Sequence, residues 1–459
     1  MRRTAFLLLF AALASPAGEL RVGRALLRIT PKTGTPMGSS YGLTISTGVH
    51  DDLYIKVLAL EKDGVRAALV ACDLISLRPG VVGEARKLIQ QSVGLSPEQV
   101  ILSATHSHCG PQMHRPFLEL LDAEALRLGV LFREQLPQRI SDGVRQAFSD
   151  LRPARASVGI GKESSISFNR RFHMKDGSVR MNPGRRNPDA IRPAAGIDPD
   201  VNVVYFTSAG GEPLGTHVNF AMHPAIAGGS EFSADYPGVL ANLLRKVKGE
   251  GMLSMFTMGT AGDINHLDVS KEKQLSNHNE TSRVGMVLAG EVLKTYTRLQ
   301  PVDGTLGAAR TTLHLPAREP REGEAAKARD IFSQYRAGRG GPPFQDVVWA
   351  WRTIETAALE DKHLSADVQV ISLGDQLAWV ALPGEIFVGL GLAIKQASPF
   401  PYTIISTMSA SGTISYVPTR KAFAEGSYEV TSARIAAGGG EMLVDAAVRL
   451  LKKLKAEAR

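Results

Sequence analysis

Two histidines one residue apart, His106 and His108, follow a short apolar run, Ile101-Leu102-Ser103-Ala104, and Gly110-Pro111 then stops it. An apolar run of this length between turn-forming residues predicts a buried strand over residues 99–104. On an extended chain alternate side chains share a face, so both imidazoles are expected to point the same way. Two imidazoles meeting where a strand gives way to a loop suit a metal centre or an acid–base pair. A lone His-x-His also fits polar residues satisfied at a strand end.

The pattern recurs. Asn169-Arg170, His223, Asp263 with Asn265, Glu385 and Tyr416 each stand where a predicted strand ends. Sites built in this way gather side chains from many loops over a rigid sheet. Two histidines and a carboxylate are a familiar donor set for catalytic zinc, which keeps one position open for water. Zinc lowers the pKa of bound water from about 15.7 to about 7, so hydroxide is available at neutral pH without a strong protein base. That shift favours metal-assisted hydrolysis over a serine or cysteine nucleophile. Plainer roles exist for the same residues. His223 precedes Pro224 and could close a strand, and Glu385 suits the first turn of a following helix. Of the neighbours Arg170 and Arg171, one reads as a surface charge.

The elements that must position these residues follow from the rest of the 459-residue chain. Strands are predicted at 20–29, 53–61, 65–73, 155–161, 201–207, 214–222, 253–258, 368–373, 377–382 and 402–408. Helices are predicted at 79–93, 123–151 with an interruption at Pro137, 236–247, 282–299, 386–397 and 432–454. Lys62-Asp63-Gly64, Asp176-Gly177, Ala209-Gly210-Gly211 and Gly374-Asp375 are hairpin signals. Residues 182–200 form a Pro- and Arg-rich loop too long to be idle, and 411–428 a loop bearing glycine and tyrosine. A polar stretch, 318–362, reads as two helices split by a glycine–proline turn, a lid or an elaboration with a solvated charged face. Hairpins mixed with helical connections indicate an α/β fold of mixed and antiparallel sheets flanked by helices, not a parallel barrel. No linker divides residues 18–459, which are expected to form one domain.

Residues 1–17 have the charged start, apolar middle and small-residue end of a secretory signal peptide, which places the protein in the periplasm or outside the cell. The formal net charge of +8 comes without a dense Lys/Arg run, so nucleic acid is not an expected partner. Peripheral contact with an anionic membrane surface fits it better, as does simple solubility. Cys72 and Cys109 are the two cysteines, too few for a disulfide framework, and no Cys-x-x-Cys thiolate zinc site exists. A bridge between them is left open.

Several short motifs occur in a fixed order. They are Gly38, Gly48-Val49-His50, Cys72-Asp73-Leu74, Ala104-Thr105-His106-Ser107-His108-Cys109-Gly110-Pro111, Asn169-Arg170 and Gly196-Ile197-Asp198-Pro199. Val218-Asn219-Phe220-Ala221-Met222-His223, Ala261-Gly262-Asp263-Ile264-Asn265, Pro383-Gly384-Glu385, Ser415-Tyr416-Val417-Pro418-Thr419 and Tyr428-Glu429 follow. In this ordered set the chain resembles the catalytic domain of neutral, non-lysosomal ceramidases, zinc amidases that cut the amide bond of ceramide.

The resemblance implies the family's mixed-sheet catalytic fold and a Zn2+ ion held by His106, His223, Glu385 and Tyr416. It implies that His108, Arg170 and Tyr428 contact the scissile amide of a lipid or small-molecule substrate, with Gly38 lining the pocket. Arg170, with a histidine or tyrosine donor, would stabilise charge on the carbonyl oxygen, an effect worth about 3–4 kcal/mol per donor in other enzymes. His108, with a pKa near neutrality, would pass a proton to the leaving amine. Two departures qualify this. Asn265 stands where the family carries a serine, so a route needing that hydroxyl is closed, and Asn265 becomes a candidate hydrogen-bond donor to the reaction. The alternative is a ceramidase-like protein that binds its ligand without turnover. The chain also ends at Arg459 without the family's C-terminal β-sandwich domain, which points to a more soluble N-acyl substrate.

Overall fold

Burial on both faces marks the central strands, because a further layer covers each side of the sheet they form. The computed structural model describes residues 18–39, 42–337, 341–409 and 414–458. The larger sheet contains β1 (Arg21–Arg28), β2 (Tyr54–Lys62), β3 (Val65–Cys72), β4 (Val100–Ala104), β5 (Arg152–Lys162), β6 (Asp200–Ser208), β7 (Pro213–Phe220) and β8 (Leu253–Met258). Their order is β8-β7-β6-β5-β1-β2-β3-β4, with Gln300–Val302 paired to β5. Pairing is antiparallel from β7 through to β3 and parallel at the two ends, β7 with β8 and β3 with β4. A second sheet runs β9 (Leu306–Pro316), β10 (His363–Leu373), β11 (Leu377–Ala381) and β12 (Tyr402–Ser406), parallel at its last pair.

Helices α1 (Pro79–Val93), α2 (Ala123–Ser149), α3 (Tyr236–Lys248) and α4 (His278–Thr295) cover the outer face of the larger sheet. There Ile89, Ile140, Val144, Leu240 and Leu288 join Ile55, Val57 and Val70 in one apolar cluster. Between the sheets, Leu58, Leu60, Ile101 and Met255 meet Ile371, Trp379 and Ile404. Beyond α5 (Glu324–Arg336) and α6 (Phe344–Ala357) in the chain, α7 (Val388–Ala397) and α8 (Gly439–Glu457) pack on the second sheet. The result is four layers, helix–sheet–sheet–helix. Mixed sheets flanked by helices are what the hairpin and helix signals predicted.

Local differences have physical reasons. Pro137 does not interrupt α2, since Leu136, Ile140, Val144 and Ala147 are buried on its sheet-facing side and outweigh one missing hydrogen bond. Residues 182–200 are partly strand, with Ala190–Pro193 pairing Arg171–Met174. The stretch before the last helix holds a strand, Tyr416–Val417, and two short helices, Arg420–Glu425 and Tyr428–Thr431. The last helix starts at Gly439, because Ile435 bridges to Ala317 beside the second sheet. Cys72 and Cys109 are buried free thiols. Among the described residues no helix is long and apolar enough to cross a membrane. The signal-peptide reading at 1–17 lies outside the described residues, as do 338–340 and 410–413 of the predicted loops.

The sheet's curl matters for the site. β4 and β7 lie six neighbour-to-neighbour steps apart and run in opposite directions, so in a flat sheet their carboxyl ends would sit at opposite edges. The sheet instead curls on itself, with β8 against β1 to β4, and this brings those ends together. They meet: the His108 N–H donates to the Pro224 carbonyl at 3.1 Å. The end of β3 is pinned by a buried ion pair, Lys56 Nζ to Asp73 Oδ2 at 2.9 Å, with the Tyr54 N–H also donating to that oxygen.

A polar knot ties the sheets together. His217 on β7 accepts from Trp379 Nε1 through Nδ1 at 3.1 Å, and its Nε2 lies 2.7 Å from the Thr257 hydroxyl. Burial pushes the His217 pKa down to about 3. The unfolded chain therefore binds a proton that the folded one refuses, and stability should fall as pH drops from about 6.5 toward 3. Urea midpoints measured across that window should show the slope reduced in His217→Gln; an unchanged slope would contradict it.

Candidate metal centre

Beyond β4 the backbone leaves the strand through hydrogen bonds from Thr105 N to Cys72 O and His106 N to Leu74 O. His106 then takes a left-handed conformation, φ 71°, uncommon for a residue with a side chain and typical of functional turns. The His106 Nδ1–H donates to the Ile75 carbonyl at 2.7 Å. A carbonyl can only accept, so the proton sits on Nδ1 and the Nε2 lone pair faces inward. His223, at the end of β7, repeats the device: its Nδ1 donates to the Ile264 carbonyl at 2.9 Å. The loop after it is held by the buried Asp235 carboxylate, which accepts from Ile226 N and Ala227 N, while the Tyr236 hydroxyl donates to Met222 O.

Glu385 and Tyr416 arrive side by side, because Glu385–Ile386 pairs in parallel with Tyr416–Val417 and these two residues are register partners. The approach needs glycine at 384: φ is +83° there, and a Cβ would stand 2.4 Å from the Ser415 carbonyl oxygen. Glu385 Oε2 lies 3.0 Å from His223 Nε2 and 3.6 Å from His106 Nε2, and His108 Nε2 lies 3.3 Å from His106 Nε2. For donors ~2.0–2.1 Å from a tetrahedral ion, neighbouring donor atoms are roughly 3.3 Å apart. The separations fit that geometry, and both carbonyl-anchored imidazoles present unprotonated Nε2 atoms. Tyr416 is the register partner of Glu385, so the four residues that the resemblance named for the ion are together. His108, named for the amide, stands within the same group, its ring nitrogen within 4.8 Å of those of His106 and His223.

A second group, His50, Glu231 and His278, also offers three donors within 4.8 Å. Its two imidazoles stack face to face, centroids 3.6 Å apart and planes 15° apart. Lone pairs in nearly parallel ring planes run side by side instead of converging. The buried group is the better-built centre.

Arg170 and Tyr428 line the same space. The Arg170 guanidinium lies 5.4 Å from the centre of the Tyr416 ring, and the Tyr428 ring meets that ring edge-on at 5.6 Å. Arg170 Nε donates to Glu429 at 2.8 Å and Nη2 to the Gly262 carbonyl at 2.8 Å. Arg171 is no surface charge: it is buried and donates to the other Glu429 oxygen at 3.0 Å and to Glu425 at 3.2 Å. The segment bearing both arginines is tied down by Asp263, whose backbone carbonyl accepts from Arg170 N and whose carboxylate accepts from Asn169 Nδ2 and Val388 N. Gly38 lies alongside, its N–H on the Gly110 carbonyl. Asn265 is engaged locally: Nδ2 donates to Asn182 Oδ1 at 3.1 Å and Oδ1 accepts from Leu267 N.

Burial sets the charge states. Burial, reinforced by the neighbouring imidazoles, pushes the His108 pKa well below its ordinary value, not to the near-neutral value expected from sequence. Burial likewise takes His223 down to about 4, although Glu385 opposes it. Burial works against the Glu385 carboxylate, yet the neighbouring His106 and His223 imidazoles hold its pKa well below the usual range. Burial and the Glu385 charge raise the Tyr416 phenol. Burial also opposes the Arg170 charge, but Tyr416, Glu429 and Glu385 more than restore it. Glu429 and the anchoring carbonyls of Ile75 and Ile264 escaped assignment from sequence. Glu429 stood in the motif with Tyr428, but a backbone carbonyl carries no residue-type signal.

No family model matches the chain. In sequence it is 28% identical over 189 residues to the neutral ceramidase of Pseudomonas aeruginosa, an alignment covering 39% of this chain and 26% of that protein. The chain thus spans about a quarter of that relative's length in sequence. The crystal structure of neutral ceramidase from Pseudomonas aeruginosa superposes with a TM-score of 0.72 at 21% identity, covering 95% of this chain and 75% of that one. A ceramidase complexed with C2 gives a TM-score of 0.71 at 20% identity, over 95% and 76% of the two chains. The resemblance read from the ordered motifs is borne out by the sequence match and by the shared fold.

If the buried group is the centre, Glu385→Gln and His223→Ala should each lower bound metal from one ion per chain to a small fraction of that. His278→Ala should leave it unchanged. Elemental analysis of the purified proteins reads both, and metal lost with His278 would move the centre elsewhere.

Proposed function

We propose that this chain, which shares its fold with the neutral ceramidases, is a zinc-dependent hydrolase that cleaves the amide bond of ceramide or a related N-acyl compound. The observation that carries this reading is the buried convergence of His106, His223 and Glu385, with both imidazoles anchored through Nδ1. His106, His223, Glu385 and Tyr416 would hold the ion, with His108 against His106. When bound, zinc supplies a water acidic enough to be hydroxide near neutral pH and polarises the carbonyl.

The chain's own residues do the rest. Arg170, clamped by Glu429 and the Gly262 carbonyl, keeps its charge in a dry site and has N–H capacity left for the scissile carbonyl oxygen. The Tyr428 ring, packed edge-on against Tyr416, puts a phenol at the rim of the same space. His108 is held neutral and can take a proton; once protonated, its burial makes it a strong acid toward a leaving amine. Gly38, packed beside Pro111 and Gln112, would line the substrate pocket. In this reading residues 1–17 direct export to the periplasm or beyond, and the positive balance favours peripheral contact with anionic lipid surfaces.

Asn265 favours a second reading, a ligand-binding relative that has lost turnover, since the family's serine is absent and the amide is occupied by Asn182 and Leu267. Turnover assays separate the two. N-acylsphingosine and simple N-acyl amides should be hydrolysed, the activity should vanish with a chelator, and zinc should restore it. Arg170→Lys should lower kcat by about 10²–10³-fold. Bound zinc with no turnover of any amide would favour the second reading, and full activity after exhaustive metal removal would end the first.

A further inference from the structure

The two histidine loops of the metal centre share one support, residues 233–236, which join the short strand Glu231–Phe232 to α3. On one side Ser107, the residue between His106 and His108, donates its hydroxyl to the Ser233 carbonyl at 2.6 Å. Ser233 N in turn donates to the Cys109 carbonyl at 3.1 Å. On the other side Asp235 Oδ2 accepts from Ile226 N at 2.9 Å and from Ala227 N at 2.8 Å. The Tyr236 hydroxyl donates at 2.7 Å to the carbonyl of Met222, the residue before His223. Ser107, Ser233, Asp235 and Tyr236 are all fully buried.

The support is itself held in place. Asp51 takes the Ser233 hydroxyl on Oδ2 at 2.5 Å and Ala234 N on Oδ1 at 2.8 Å. The Tyr236 ring meets Phe256 of β8 edge-on, with centroids 5.4 Å apart. Within this frame Asp235 has φ 59° and ψ −158°, a region that glycine occupies at ease and other residues rarely enter. Such strain persists only where the surrounding contacts over-determine it, and it gathers at functional sites.

Capping a helix does not explain the arrangement. Asp235 Oδ1 accepts from Tyr236 N at 2.6 Å, which serves the start of α3. Oδ2 does something a cap has no need of: it takes two N–H groups eight and nine residues back in the chain, just beyond His223. Both oxygens must be acceptors, which a carboxylate provides and a carboxamide does not. Zinc holds its nitrogens at ~2.0–2.1 Å, so a small drift of either loop would part the donors.

We propose that residues 233–236 set the spacing between His106 and His223, with Asp235 as the principal positioning residue and Tyr236 as its second contact. The strained turn at Asp235 is retained because it lets one carboxylate serve both the helix start and the loop behind His223. The proposal rests on the reading of His106 and His223 as ligands of one ion, and not on the identity of the amide.

Zinc titrated into the metal-free full chain tests it. Asp235→Asn should weaken zinc binding by about 10–100-fold, and the visible absorption of the cobalt(II)-loaded protein should change as the ligand geometry loosens. Ser107→Ala, which cuts the link to the other loop, should weaken binding as well. The double variant should lose far less than the product of the two single losses, because both act through one segment. Leu451→Ala, in the core under α8, should lower the urea midpoint yet leave zinc affinity and the cobalt spectrum unchanged, which separates positioning from stability. If Asp235→Asn does not fold, Tyr236→Phe carries the test: it deletes the bond to Met222 and should weaken zinc several-fold. Wild-type zinc affinity in the folded variant, or losses that simply multiply in the double variant, would overturn the proposal. A wild-type protein that binds no metal would end it together with the metal-centre reading, whereas bound zinc without turnover of any amide would end the hydrolase reading alone.

Discussion

Two backbone carbonyls govern the centre. Ile75 and Ile264 each take the Nδ1–H of an imidazole, and in doing so fix which nitrogen of His106 and His223 faces the interior. Without them either ring could turn or carry its proton on the wrong atom, and a neutral donor pair would not be ready for an ion. The carbonyls are placed by the backbone just past β3 and β8, so the tautomers depend on the ends of the larger sheet being rigid. The buried Lys56–Asp73 pair stiffens one of those ends, and Asp263, bonded to Asn169 and Val388, stiffens the other.

Desolvation is the second constraint, and it acts throughout the site. Glu429 is fully buried between Arg170 and Arg171, so the chain keeps two cations and one anion in a place where any of them alone would be costly. That arrangement holds Arg170 charged and still, which is what a group meant to meet developing negative charge requires. The four-layer architecture makes such burial affordable in space: with apolar clusters on both faces of the larger sheet, strand ends and loops can form a dry polar seam without exposing the core.

Helix α6 packs against the Arg78–His114 pair through Trp351. Its aromatic face packs Trp351 and Phe344 on Phe117, while Arg352 and Glu355 extend the charged side toward Arg78 and Arg434. The polar stretch that read as a lid or a solvated elaboration is thus an amphipathic wall. Its cations belong partly to the interior.

Strand and hairpin positions were legible because apolar periodicity and Gly/Asp turn signals act locally, as at Lys62-Asp63-Gly64 and Gly374-Asp375. His106, His223 and Glu385 were legible as chemistry-bearing types at strand ends. Their convergence was not, since it arises from the curl of the sheet that brings β8 against β4 and from a two-residue parallel pairing of Glu385 with Tyr416. The burial of Arg171 and the lowered pKa of His108 were equally hidden, because both come from neighbours distant in sequence. Residue type and local pattern determined which groups are present and which elements carry them. Tertiary structure alone decided which atoms meet, in what protonation state and how far from water, because those properties belong to pairs of segments and not to either one.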